Sequence, residues 1–262
     1  MSFTNDQKVL QMISTRFRRF VPALALPLAL ALAACGDSAE GEGPAVSNKP
    51  LAEIPAPEGQ QWSQMVQVTE DDGYLVGNPD APIKLLEYAS LTCGACANFT
   101  QTAAEEIKAD YVDTGRVSYE LRNQVHNGID LTLAALVRCG NPESFHPLSE
   151  QVWRNFEQVM GTAQQNAAGL EAAMTRPENE RFAAVAESAG LLDFFASRGL
   201  SRDQARTCLA DTESVTAIAE RSDAQSAELD VTGTPTFFIN GRKVDTNNWE
   251  QLQVMLQEAG AR

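Results

Sequence analysis

Apolar positions along this chain recur with two different periods. Ile83-Lys84-Leu85-Leu86-Glu87-Tyr88-Ala89 is an apolar run of strand length, and Val117, Tyr119 and Leu121 alternate with Ser118, Glu120 and Arg122, so one face of a second strand turns to a core. Between these runs, Cys96, Phe99, Ala103 and Ile107 return at helical spacing, and Gly115 stops the connection. Ahead of them, Gln64 to Val68 and Tyr74 to Val76 read as short extended pieces around the Glu70-Asp71-Asp72-Gly73 turn, with a further break at Gly77-Asn78-Pro79-Asp80.

From residue 127 to 229 the strand period is absent. Helical spacing occupies Ile129 to Cys139, Val152 to Met160, Phe182 to Phe195 and Ala205 to Ala210, with Ser201 as a helix cap, and predicts an all-helical insertion. Strand character returns at Thr236-Phe237-Phe238-Ile239, where Asn240-Gly241 predicts a hairpin into Arg242 to Val244. Asn247, with Glu250 three residues on, predicts the cap of a last helix carrying Trp249, Leu252, Leu256 and Ala259 on one side. Trp153, Phe156, Phe182, Phe194 and Phe195 are read as helical core, with a partner-facing groove as the alternative.

The first 35 residues have another character. Basic residues through Arg19 lead into an Ala/Leu-rich stretch from Phe20 to Ala34, too short to cross a bilayer and of the kind that directs export. Leu32-Ala33-Ala34-Cys35 resembles a bacterial lipobox, which predicts lipidation of Cys35; an ordinary cut near Ala31-Leu32-Ala33 is the competing reading. Met12 is a candidate true start. Residues 36–61, rich in Gly, Ala, Ser, Glu and Pro, read as a flexible tether. The formal net charge of -15 argues against a nucleic-acid partner, which needs clustered cations.

Five cysteines then divide without remainder. Cys35 takes the lipid, and Cys93-Gly94-Ala95-Cys96 lies where the strand run gives way to the helix. Unpaired N–H groups at a helix start stabilise a thiolate, so Cys93 is the expected nucleophile and Cys96, one turn on, the resolving thiol. Cys139 and Cys208 remain, as a structural disulfide that export would permit or as two buried free thiols. Neither histidine, His126 or His146, lies near a cysteine in sequence, and Cys93 with Cys96 cannot alone supply the four ligands of a structural zinc. No metal or cofactor is expected.

This order of elements resembles the thioredoxin fold as elaborated in the DsbA-like family of bacterial thiol:disulfide oxidoreductases. The resemblance spans roughly residues 62–260 and rests on Glu87, Leu91 to Cys96, the strand ending in Leu121-Arg122-Asn123, and Val231 to Gly241 with its Gly-Thr-Pro-Thr-Phe-Phe-Ile-Asn-Gly core. It implies an α/β, thioredoxin-like domain over 62–126 and 230–262, interrupted by the helical domain of 127–229. It further implies a cis Thr234–Pro235 bond against the redox pair, with the Thr234 backbone pairing to substrate, the alternative being a trans proline at an edge strand.

Glu87, six residues before Cys93, is similar to the buried acid beneath the cysteines of such proteins and would exchange protons with Cys96; a solvated edge-strand Glu is the other reading. Substrates would be exported cysteine-containing proteins, with a membrane redox partner for recycling and the lipid as the membrane link. The strongly oxidising members carry a histidine or proline between the cysteines. Gly94 and Ala95 supply neither, which predicts a weaker thiolate. A disulfide reductase or isomerase, and a copper-carrying thioredoxin-like lipoprotein, are the alternative functions.

Overall fold

The computed structural model describes residues 49–262; the export segment, Cys35 and the first part of the tether lie outside them. Six strands form one sheet: β1 (Val66–Val68), β2 (Tyr74–Gly77), β3 (Ile83–Ala89), β4 (Val117–Asn123), β5 (Thr236–Ile239) and β6 (Arg242–Val244), in the order β1-β2-β4-β3-β5-β6. β3 and β4 run parallel, with Glu87 opposite Leu121, and the remaining neighbours are antiparallel. A parallel pair needs a crossover. It is supplied by α1 (Gly94–Glu106), which continues through one wide turn, Ile107–Val112, before Gly115 at φ 70 releases the chain into β4.

The two faces of β3 follow from its period. Ile83 and Leu85 pack with Phe99, Ile107, Phe237, Trp249 and Leu252 beneath α1 and the last helix, α10 (Trp249–Glu258). Tyr88, on the other face, packs with Val231 and Phe238. Glu87 shares the first face, which is why an acid lies in the interior.

Every helix or strand between residues 128 and 228 is helical: α2 (Gly128–Val137), α3 (Phe145–Arg154), α4 (Phe156–Gln165), α5 (Ala167–Met174), α6 (Glu178–Ser188), α7 (Leu191–Ala196), α8 (Arg202–Ala210) and α9 (Thr212–Glu228). This is a thioredoxin fold with a helical insertion. The insertion shares a continuous core with the sheet, since Leu91, Cys96, Ala97 and Leu121 lie in one cluster with Leu133, Phe145, Trp153 and Phe195. Charged groups also lock it down: Arg138 donates to Asp72 Oδ2 at 2.6 Å, and Arg221 reaches the same carboxylate.

Cys139, just past α2, and Cys208 in α8 are joined in a disulfide, with Cα atoms 5.9 Å apart and 69 positions apart in sequence. Loop closure of this length contributes about 4 kcal/mol in the chain-entropy picture. The double variant Cys139→Ala/Cys208→Ala is therefore expected to lose about 4 kcal/mol in a guanidinium titration, with the thiol-exchange activity of the folded protein retained.

Several boundaries differ from the sequence reading. The stretch read as one helix across Val152 to Met160 breaks at Asn155, and that across Phe182 to Phe195 breaks at Gly190, which adopts φ 70. Helix α9 escaped the apolar pattern because Val215 and Ser222 are its buried residues. The last helix is capped by Asn248, whose side chain accepts from Gln251 N–H, rather than by Asn247. Ser201 does cap α8, in a reciprocal pair with Gln204.

The tether reading is corrected over residues 51–56. Leu51 N–H bonds Gly260 O and Ile54 N–H bonds Thr114 O, each at 2.9 Å, and Trp62 Nε1 donates to Ile54 O at 2.7 Å. Leu51, Ile54 and Ala56 also pack on the core, so apolar contacts and backbone pairing hold a segment whose proline content suggested a free linker. Gly115 permits this approach, because a Cβ there would run into the Ile54 carbonyl.

Candidate active site

Cys93 is the N-cap of α1, in extended backbone conformation, and its sulfur accepts the Cys96 N–H at 3.4 Å. Both Cys93 and Cys96 are free thiols, the first half-buried and the second 0% exposed. Across from them the Thr234–Pro235 bond is cis, and Cys93 Sγ, when protonated, donates to Thr234 O at 3.3 Å. Residues 141 positions apart in sequence thus meet at one sulfur.

A hydrogen bond from the Cys96 thiol, together with the Cys96 and Ala95 backbone N–H groups, outweighs burial and lowers Cys93 from the usual thiol range to about 5. The stabilising donors come from Cys96 and the helix backbone, and a value of about 5 lies above the roughly 3.5 of the most oxidising thiol pairs, in keeping with the weaker thiolate expected from Gly94-Ala95. Cys96 shifts far upward through desolvation and the thiolate beside it. The pair is therefore asymmetric: one thiol is ionised at neutral pH and the other stays protonated.

Glu87 lies in the interior at 1% exposure and is pushed up to about 7, chiefly by desolvation. Tyr119 donates a short hydrogen bond to Glu87 Oε2, whereas Oε1 has no hydrogen-bond partner among the described residues. The solvated edge-strand alternative for Glu87 does not describe this site.

The loop carrying Cys93 is held by a residue that sequence reasoning missed. Buried Asp130, in the first turn of α2, accepts from Ser90 Oγ at 2.7 Å and from the Leu91 and His126 N–H groups at 2.9 Å each. Trp153 Nε1 adds a bond to Ser90 O at 3.0 Å. An acid just after a capping asparagine looks like a response to the helix dipole; only the fold shows that it clamps two loops.

Among the aromatic candidates, Trp153, Phe182, Phe194 and Phe195 are core. Phe156 is half-buried and overhangs Gly94, lining a cleft of about 500 Å³ with Ala97, Gln101, Arg154 and Asn155 beside the thiols. His126 is placed 3.5 Å from Thr234 Oγ1, and His146 is buried against the Tyr74 carbonyl at 2.8 Å.

Known proteins share this frame. A family model described as thioredoxin matches residues 69–258. The chain belongs to the thioredoxin family. Two relatives bearing the name "Putative protein-disulfide oxidoreductase" come from Rickettsia. That of R. conorii is 26% identical over 214 residues, covering 79% of this chain and 69% of the relative, and that of R. felis is 28% identical over 222 residues, covering 81% and 71%. Of solved structures, a protein-disulfide isomerase from Novosphingobium aromaticivorans superposes with a TM-score of 0.65 at 28% identity, covering 70% of this chain and 96% of that one. Wolbachia pipientis alpha-DsbA1 shares the fold with a TM-score of 0.58 at 24% identity, covering 74% and 94%. Within the thioredoxin family the chain is DsbA-like in fold, and it is a thiol:disulfide oxidoreductase.

Proposed function

We propose that this oxidoreductase is exported and exchanges disulfides with other exported proteins through Cys93 and Cys96. The observation that carries this reading is the half-buried Cys93 sulfur at the start of α1, facing the cis Thr234–Pro235 bond with Thr234 O 3.3 Å away. In the oxidising direction a substrate thiolate attacks the Cys93 sulfur of the Cys93–Cys96 disulfide. A mixed disulfide forms, the Cys96 thiolate leaves, and protonated Glu87 returns a proton to it. A second substrate thiolate then attacks the substrate sulfur of that bond, and Cys93 departs as a stabilised thiolate. Two electrons pass from the substrate dithiol to the pair. Backbone next to Pro235, at Thr234, holds the extended substrate segment during the exchange.

A leaving thiolate stable at about pH 5 favours this direction, since it stabilises the reduced enzyme. Isomerase action is the second reading, supported by the name of the Novosphingobium relative. The copper-carrying alternative finds no support in side-chain clustering: no group of three or more His, Cys, Asp or Glu side chains suited to a metal occurs among the described residues.

No described helix is long and apolar enough to cross a membrane. In this reading Cys35 carries the lipid that keeps the enzyme at the periplasmic membrane surface, near a membrane redox partner that reoxidises it; accumulation of the longer precursor in a globomycin-treated host is the check. The function itself is tested by equilibrating the Cys93/Cys96 couple with glutathione and by refolding a reduced substrate. A potential well above the roughly -270 mV of thioredoxin, with net substrate oxidation, is expected. A potential at or below that value would overturn the oxidising direction.

A further inference from the structure

One buried contact beneath the cysteines takes no part in the sulfur exchange. Tyr119 extends from β4 and donates to Glu87 Oε2, leaving Oε1 as the unpartnered buried oxygen. Its ring packs on His146 of α3, with centroids 5.4 Å apart. It also lines a narrow cavity with Lys108, His146, Glu150 and Trp153, whose volume of about 10 Å³ is that of a single water site. Lys108 Nζ and Glu150 Oε1 pair at 2.8 Å, and their side chains reach solvent at 29% and 14% exposure. Tyr119 therefore stands between the sealed carboxyl and a polar opening.

We propose that Tyr119 is the positioning residue of Glu87: it ties down Oε2, leaves Oε1 to exchange a proton with Cys96, and joins the carboxyl through the cavity to the Glu150–Lys108 pair. The inference rests on the proton-exchange reading of Glu87. When a mixed disulfide resolves, the Cys96 S–H bond breaks and an O–H bond forms on Glu87. The Cys96 thiolate then attacks the Cys93 sulfur, the Cys93–Cys96 bond forms, and the substrate sulfur leaves with the electron pair of the broken bond. To reset, the carboxyl turns and donates its proton to the Tyr119 oxygen as the Tyr119 hydroxyl donates to a water in the cavity, and Glu150 accepts from that water.

No phenolate is needed, and none is favoured, because burial and the neighbouring Glu87 carboxylate keep the phenol protonated. The other titratable and charged groups facing Tyr119 are Cys96 from α1, Lys108 from the turn after it, and His146 and Glu150 from α3. Burial lowers His146 to about 4, so its ring is neutral across the range that matters.

The test is the pH profile of resolution alone. Reduced protein is mixed with 5,5′-dithiobis(2-nitrobenzoic acid); Cys93 releases one thionitrobenzoate on forming the mixed disulfide, and attack by Cys96 releases the second. For the wild type the second release is expected to rise with pH through about 7, where Glu87 ionises. Removing a hydrogen bond that favours the carboxylate raises that midpoint, so Tyr119→Phe is expected to shift it up by about one unit, roughly a tenfold loss of rate at pH 6, with little change at high pH. Incorporating 3-fluorotyrosine at position 119 keeps the fold and strengthens the donor, and is expected to move the midpoint down. A midpoint unmoved by the fluorinated residue, with the profile flattened by Glu87→Gln, would overturn the role of Tyr119 and leave that of Glu87 standing. A wild-type profile in Glu87→Gln would instead remove Glu87, and the inference with it.

Discussion

Cys93→Ser is expected to abolish both insulin reduction and oxidative refolding, with a loss of about three orders of magnitude or more, because a hydroxyl is neither ionised at neutral pH nor able to form the mixed disulfide. Cys96→Ser should behave differently. It leaves the nucleophile in place, so substrate is captured on Cys93 and accumulates as a covalent adduct that a non-reducing gel resolves. The same thiol has a pH signature. With Cys93 lowered to about 5, its alkylation by iodoacetamide rises as pH increases through about 5 and then levels off, whereas an ordinary thiol, at about 8.5, is still rising at pH 8. An alkylation midpoint near 8 would remove the stabilising role of the Cys96 thiol and the helix N–H groups.

Glu87→Gln should slow resolution about a hundredfold at pH 8, since the buried Cys96 thiol loses its proton acceptor. The same change should stabilise the protein. The Glu87 carboxyl has a folded value of about 7 against an ordinary 4.5, so its favourable contribution is complete below 4.5 and is lost as pH rises through 7. The difference corresponds to about 3 kcal/mol of cost at pH 8. Glutamine carries no such cost, and the variant is expected to gain about 2–3 kcal/mol at pH 8 and little at pH 4, by chemical denaturation at the two pH values. Slower chemistry combined with higher stability distinguishes a functional buried acid from a structural one; lower stability at pH 8 would identify Glu87 as a packing residue.

Strongly periodic segments are legible in the residues themselves. The alternation of β4, the apolar run of β3, the Asn240-Gly241 hairpin and the helix after Cys93 each follow from a local repeat that burial imposes on the sequence. Less is visible where burial relies on small or polar groups. Helix α9 buries Ser222 beside Val215, and Leu51 and Ile54 are held by carbonyls of residues distant in sequence. The site divides in the same way. Cys93, Cys96, Glu87, Thr234 and Pro235 are legible because each sits in a local motif. Asp130, Tyr119 and His126 are not, because a clamp, a hydrogen-bond partner of a buried acid and a neighbour of Thr234 are defined by what faces them.

By itself the sequence determined the redox pair, its seat at a helix start, and the apolar strand run that places an acid six residues upstream. Tertiary structure alone decided how reactive that pair is. Thiolate stability depends on donors and dielectric within a few ångströms, and these arise when α1, the 234–235 turn and the buried face of β3 come together. Gly94 and Ala95 supply no donor of their own; the assembled helix start and the Cys96 thiol are what lower Cys93 to about 5. Chemistry is written in residue types, whereas its strength is set by neighbours that only folding brings together.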